Sequence, residues 1–128
     1  METVAAIMSR RLVAIRSDCD LSVAVSTFLR SALRHLVVVD PDRTVRGILS
    51  ADQVLVALGR TNRCRVGDQA LSAPSGVRAD DDVRVAAEAM LDQMVEAIPV
   101  TDDTGRVVGI VTWSDLVAHA AGRELRRS

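Results

Sequence analysis

Leu21, Ala24, Val25, Phe28, Leu29 and Ala32 recur at helical spacing behind Asp18 and Asp20, either of which supplies an N-cap. The run Leu36 to Val39 is too short for a helix and reads as a strand. Asp40-Pro41-Asp42-Arg43 breaks it as a turn, and Val45 to Leu49 returns as its partner strand. A short strand over Leu12 to Ile15 precedes this group, and a helix from Ser50 through Leu58 follows it. The order then recurs. Gly76 to Arg78 begins it, and Asp82 caps a helix carrying Val83, Ala86, Met90, Leu91 and Met94. Ile98 to Thr101 and Arg106 to Val111 form a hairpin across Asp102-Asp103-Thr104-Gly105, and Thr112 opens a last helix to Ala121.

The recurrence has a constant offset of 62 residues, without insertion or deletion: Val38-Val39-Asp40 aligns with Val100-Thr101-Asp102, and Val45 to Ser50 with Val107 to Thr112. A unit of about 60 residues buries only about 60% of its unfolded surface and is marginal alone. The two copies are therefore expected to pack as one pseudo-twofold body, with functional sites in the paired clefts between them. The predicted fold is α/β (α+β), with each repeat reading strand, helix, strand, strand, helix. The boundaries expected are 1–58 for the first repeat, 59–65 for an Arg-bearing linker, 66–122 for the second repeat and 123–128 for an Arg-rich tail.

Composition narrows the function. A net charge of -1 provides no field toward nucleic acid or membrane. Phe28 and Trp113 are the only aromatics besides two histidines, too few for a base-stacking platform. All 16 Lys+Arg positions are Arg, which removes Schiff-base lysines and Walker-type phosphate lysines. Cys19 and Cys64 occupy unrelated positions in the two repeats and read as free thiols. With no signal peptide and no apolar run near 18 residues, a soluble cytoplasmic protein is expected. No nucleophile–base pair, metal set or glycine-rich phosphate loop is present, so neither catalytic nor metal-ligating residues are assigned and no enzyme is expected.

The sharpest local signal is Gly109-Ile110-Val111-Thr112-Trp113-Ser114-Asp115. A strand ends, a hydroxyl residue stands at the helix start, and a carboxylate follows on the first turn. Exposed N–H groups and the positive end of the helix dipole would receive an anionic group there, assisted by Thr112. Asp115 would accept from paired hydroxyls such as those of a ribose. Thr-x-x-Asp is equally a capping signature, and Ser50-Ala51-Asp52-Gln53 fits the same cap.

The chain resembles a tandem pair of cystathionine-β-synthase (CBS) domains, the Bateman module, from Val4 to Ala121. The resemblance is carried by Ile7-Met8-Ser9, Arg34-His35-Leu36-Val37-Val38-Val39-Asp40, Ala97-Ile98-Pro99-Val100-Thr101-Asp102 and Gly109 through Asp115. It implies a regulatory role, a homodimer, and AMP, ADP, ATP or S-adenosylmethionine as the ligand, with no required cofactor. By the same resemblance Thr112 meets phosphate and Asp115 the ribose hydroxyls. Ser75, Gly76 and Val77, with Ala97, Ile98 and Pro99, would enclose the adenine. Ser50 keeps the hydroxyl in the first repeat, but Gln53 stands where the carboxylate is expected and Val37 replaces the proline. Gln69-Ala70 stands where the first repeat has Ile7-Met8, so a different path is expected for the second repeat's entry segment.

The expected function is thus a stand-alone regulatory module that binds an adenine ligand and signals in trans to an effector protein. The alternative is a ligand-independent dimerisation or scaffold module. On the first reading, Asp115→Ala weakens binding with little loss of stability. His35 and His119 read as structural or solvent-facing rather than metal-ligating, and Trp113 lines the site or packs elsewhere. Asp80-Asp81-Asp82 reads as helix-start carboxylates. Arg60, Arg63 and Arg65, or Arg123, Arg126 and Arg127, form a solvated basic surface or meet phosphate.

Overall fold

Residues 2–60, 65–69 and 75–122 are described by the computed structural model. Arg63, Cys64 and Ala70, with Arg123, Arg126 and Arg127 of the expected tail, lie outside the described residues. A one-turn helix α1 (Val4–Ile7) leads into β1 (Ala14–Arg16), α2 (Leu21–Ser31), β2 (His35–Val39), β3 (Val45–Ser50) and α3 (Ala51–Leu58). The second series is β4 (Val77–Arg78), α4 (Val83–Gln93), β5 (Ala97–Thr101), β6 (Val107–Thr112) and α5 (Trp113–Ala120). This is the mixed α+β pair of β-α-β-β-α repeats that the hydrophobic pattern predicts.

Each repeat forms a three-stranded sheet, ordered β1-β2-β3 and β4-β5-β6. The first pair of strands in each is parallel and the second antiparallel. Registers coincide at the sequence offset: Val38 pairs with Gly47 and Val100 with Gly109, each followed by a bulge before Val39 or Thr101. One strand differs. In β2, the Val37 N–H donates to the Val13 carbonyl at 3.1 Å, whereas Pro99 at the same station has no N–H to give. The parallel pairing of β4 accordingly starts at Val77, one residue later than Gly76 in the predicted strand and two residues after Ser75. Likewise β1 begins at Ala14 rather than Leu12.

Packing divides the chain differently from the repeats. One compact unit is drawn from Met1–Leu12 and Pro74–Ser128, the other from Val13–Ala73. In the first unit, Val4 N–H donates to Asp81 O at 2.8 Å, Ala5 N–H donates to Ala79 O at 2.9 Å, and Thr3 bridges Asp82. In the second, Val66 N–H donates to Cys19 O at 2.9 Å, Gly67 N–H donates to Ser17 O at 2.8 Å, and Arg65 bridges Asp20. These are the same three contacts at the 62-residue offset. Each lead-in segment packs on the other repeat, so neither repeat, as bounded in the sequence, coincides with a compact unit.

The anchors of the exchange are apolar. Val4 is fully buried in a core with Ile7, Met8, Val77, Val83, Ala86, Met90, Ile98, Val100 and Val111. Val66 is fully buried among Ile15, Leu21, Ala24, Leu36, Val38, Leu49, Val54 and Ala57. Beyond Ile7 the first lead-in also covers a strand edge, where Ser9 exchanges backbone hydrogen bonds with Ile110 of β6 at 2.9 and 3.0 Å. Gly109 permits this approach, because a Cβ there would lie 2.5 Å from the Met8 sulfur and 3.0 Å from Ser9 O. Val4→Ala and Val66→Ala should each lower the unfolding free energy by about 2 kcal/mol, measured by urea denaturation. A loss near zero for either would show that its segment is not part of the unit.

Candidate functional site

Cap geometry distinguishes the two repeats. Asp20 is the N-cap of α2 but makes no side-chain cap bond, while Asp18 pairs with Arg16 at 2.7 Å. That ion pair holds the Asp18 carboxyl below its ordinary range, chiefly through the hydrogen bond from Arg16. Asp82 does cap α4, accepting from Arg84 N–H at 2.9 Å, and Asp81 accepts from Arg78 N–H at 2.8 Å. Two of the three consecutive aspartates are thus engaged as acceptors, Asp82 at the helix start and Asp81 in the turn that leads from β4 into it.

At α3, Ser50 and Gln53 close a complete capping box. The Ser50 hydroxyl accepts from Gln53 N–H at 3.1 Å, and Gln53 Oε1 accepts from Ser50 N–H at 2.9 Å. At α5, Asp115 Oδ2 accepts from Thr112 N–H at 2.9 Å and from the Thr112 hydroxyl at 3.1 Å. The Thr112 proton is thereby committed to Asp115, so the Ser114 hydroxyl, 3.0 Å away, donates to Thr112. Asp115 is only 5% exposed, one of two buried polar residues in the described chain. Its Oδ1 has no hydrogen-bond partner among the described residues. A buried carboxylate oxygen without a donor is costly, and its acceptor capacity is available to a ligand.

The expected site residues of the second repeat converge through backbone register. Thr112 pairs with Ala97, Val111 with Ile98 and Ile110 with Pro99. Trp113 N–H donates to Glu96 O at 2.9 Å, fixing the start of α5 against the start of β5. Gly76 lies beside Pro99, where an added Cβ would come 3.0 Å from Pro99 O. Ser75, relieved of sheet pairing opposite the proline, is held instead by Gln93. Its N–H donates to Gln93 Oε1 at 2.8 Å, and Gln93 Nε2 donates to its carbonyl at 3.4 Å. Ala97, Ile98 and Pro99 are buried, Val77 is 5% exposed, and Ser75 and Gly76 are open to solvent.

The Ser75–Gln93 clamp and the position of Glu96 were not anticipated from the residues. The usable signal was Pro99, since a proline within a paired strand forces its neighbour's carbonyl to find another donor. Trp113 is 66% exposed beside the site, and His119 is half-buried on α5. Among the described residues no group of three or more His, Cys, Asp or Glu could hold a metal ion. Cys19 is a free thiol. No described helix is long and apolar enough to cross a membrane.

Comparison with known proteins identifies the family. The CBS domain model matches residues 4–60 and 73–122, and the chain belongs to the CBS domain family. A CBS domain-containing protein of Dictyostelium discoideum is 30% identical over 124 residues, covering 87% of this chain and 86% of that protein. An inosine-5'-monophosphate dehydrogenase of Halobacterium salinarum is 33% identical over 92 residues and 69% of this chain, which spans only 18% of that enzyme. Among solved structures, the CBS domain pair of protein MJ0100 with 5'-methylthioadenosine and S-adenosyl-L-methionine is 25% identical. It has a TM-score of 0.80 and covers 93% of this chain and 99% of its own. The cytosolic domain of the Mg2+ channel MgtE with ATP is 29% identical, with a TM-score of 0.72, covering 88% of this chain and 46% of its own.

The cap alters one expectation. Because Asp115 satisfies the Thr112 N–H, removing it is not structurally silent. Asp115→Ala should cost about 1 kcal/mol of stability, whereas Asp115→Asn, which keeps an acceptor oxygen, should cost less than half as much. Urea denaturation of the two variants checks this, and equal stability of wild type and Asp115→Ala would contradict the cap.

Proposed function

We propose that the chain is a regulatory CBS-pair module whose second repeat binds an adenine nucleotide or adenosyl compound at Thr112 and Asp115. The observation that carries this reading is the unpartnered Oδ1 of a 5% exposed Asp115, set at a helix start. Ribose hydroxyls would donate to it, giving charge-assisted hydrogen bonds. The backbone at Gly76, beside Pro99, supplies a donor and an acceptor for an adenine edge, with Ser75 held next to it by Gln93 and Val77, Ala97 and Ile98 as the apolar surround. The bound adenosyl compounds and ATP of the two structural relatives support the ligand class.

Ser50 is the weaker candidate. Its hydroxyl and N–H are both consumed by the cap with Gln53, and a neutral amide offers no carboxylate to a ribose. Binding at the second repeat would shift the packing populations of the module and so inform an effector protein.

A second reading is a dimerisation or scaffold module that needs no ligand. Exposed apolar positions that recur at the offset favour it: Leu29 with Leu91, Val23 with Val85 and Leu55 with Val117. A homodimer through such faces is compatible with either reading.

Calorimetry with AMP, ADP, ATP and S-adenosylmethionine separates them. Wild type should bind at least one, Asp115→Asn should weaken that binding by about tenfold or more, and Ser50→Ala should leave it unchanged. Absence of binding to every member of the panel would leave the scaffold reading.

A further inference from the structure

The residue whose carbonyl meets the first N–H of each repeat's second helix occupies one backbone station in both repeats. Arg34 O accepts from Ala51 N–H at 2.9 Å, and Glu96 O accepts from Trp113 N–H at 2.9 Å. In the first repeat the side chain at this station reaches the first turn of the helix. The Arg34 guanidinium lies 3.4 Å from Asp52. In the second repeat the same station carries a carboxylate, and Ser114 replaces Asp52 at the aligned position.

The charge reversal extends one turn back, because Arg30 in the last turn of α2 aligns with Asp92 near the end of α4. Glu96 is exposed, its side-chain carboxylate has no hydrogen bond or ion pair among the described residues, and no arginine among them is paired with Asp115. The start of α5 therefore has a buried carboxylate on its first turn and, at the residue whose carbonyl meets its first N–H, a second carboxylate without a partner among the described residues.

We infer that this site selects adenosyl ligands bearing no phosphate, neutral or cationic at the 5' position, over adenine nucleotides. The inference rests on the reading of Thr112 and Asp115 as an adenosyl site and adds its selectivity. A 5'-phosphate at the start of α5 would gain from the helix dipole but would face Glu96 with like charge. Two of the amides that would otherwise receive it are already committed, Thr112 N–H to Asp115 and Trp113 N–H to Glu96 O. A thioether or sulfonium in that place meets no repulsion, and a sulfonium is attracted.

The test is calorimetry of wild type, Glu96→Arg and Glu96→Gln with 5'-methylthioadenosine, S-adenosylmethionine, AMP and ATP at fixed salt. Wild type should bind 5'-methylthioadenosine and S-adenosylmethionine about tenfold or more tighter than AMP and ATP. Glu96→Arg should strengthen AMP binding by about tenfold and leave the uncharged 5'-methylthioadenosine within about twofold, with Glu96→Gln intermediate. Both substitutions are at an exposed position, and a retained urea midpoint verifies the fold. AMP or ATP binding to wild type as tightly as 5'-methylthioadenosine would overturn the inference while leaving the adenosyl site intact. So would an AMP affinity indifferent to residue 96. No binding of any of the four ligands would overturn the site itself and the inference with it.

Discussion

Burial of Val4 and Val66 in the core of the opposite repeat is the constraint on which the rest depends. A short sheet with two helices on it leaves an apolar gap, and a one-turn segment led by a valine closes it. The segment that closes each gap comes from ahead of the other repeat, tied down by the same pair of backbone hydrogen bonds and one bridge in both units. Exchange makes the two repeats interdependent in folding, because neither core is complete without chain from outside its own repeat. Met8 and Ser9 lie along β6, the strand whose end delivers Thr112 and Asp115.

Within this shared frame the two copies have diverged at few positions, each with a physical consequence. Replacing Val37 by Pro99 deletes one donor, shortens the parallel pairing and leaves Ser75 to be held by Gln93. Replacing Gln53 by Asp115 converts a neutral, fully satisfied capping box into a charged one with a spare acceptor. Replacing Arg34 by Glu96 reverses the charge at the helix start. The three changes converge on one side of the second repeat. Together they move Ser75 from sheet pairing to Gln93, place a carboxylate on the first turn of α5 and reverse the charge at its start, all without altering the fold.

Much of this was legible in the residues. Short β-branched apolar runs and the Asp-Pro and Thr-Gly turns located both hairpins, and constant spacing of the copies predicted the shared register. The lead-in exchange was not legible, since Val4–Ile7 and Val66–Asp68 are too short to show a period and nothing local specifies their partner. For the site, Thr112 and Asp115 stood out, but whether they formed a cap or a binding pair could not be read from their spacing. The structure shows the cap on Oδ2 and leaves Oδ1 without a partner among the described residues. The Glu96 station was visible only once the backbone bond to Trp113 was known, because sequence separation hides that contact.

Backbone amide hydrogen exchange with and without 5'-methylthioadenosine tests the central claim, that the duplicated frame carries one specialised ligand site. The account predicts added protection over 75–77, 97–98 and 112–115, and no change at Ser50 through Gln53. Equal protection at both helix starts, or protection confined to the first repeat, would contradict it.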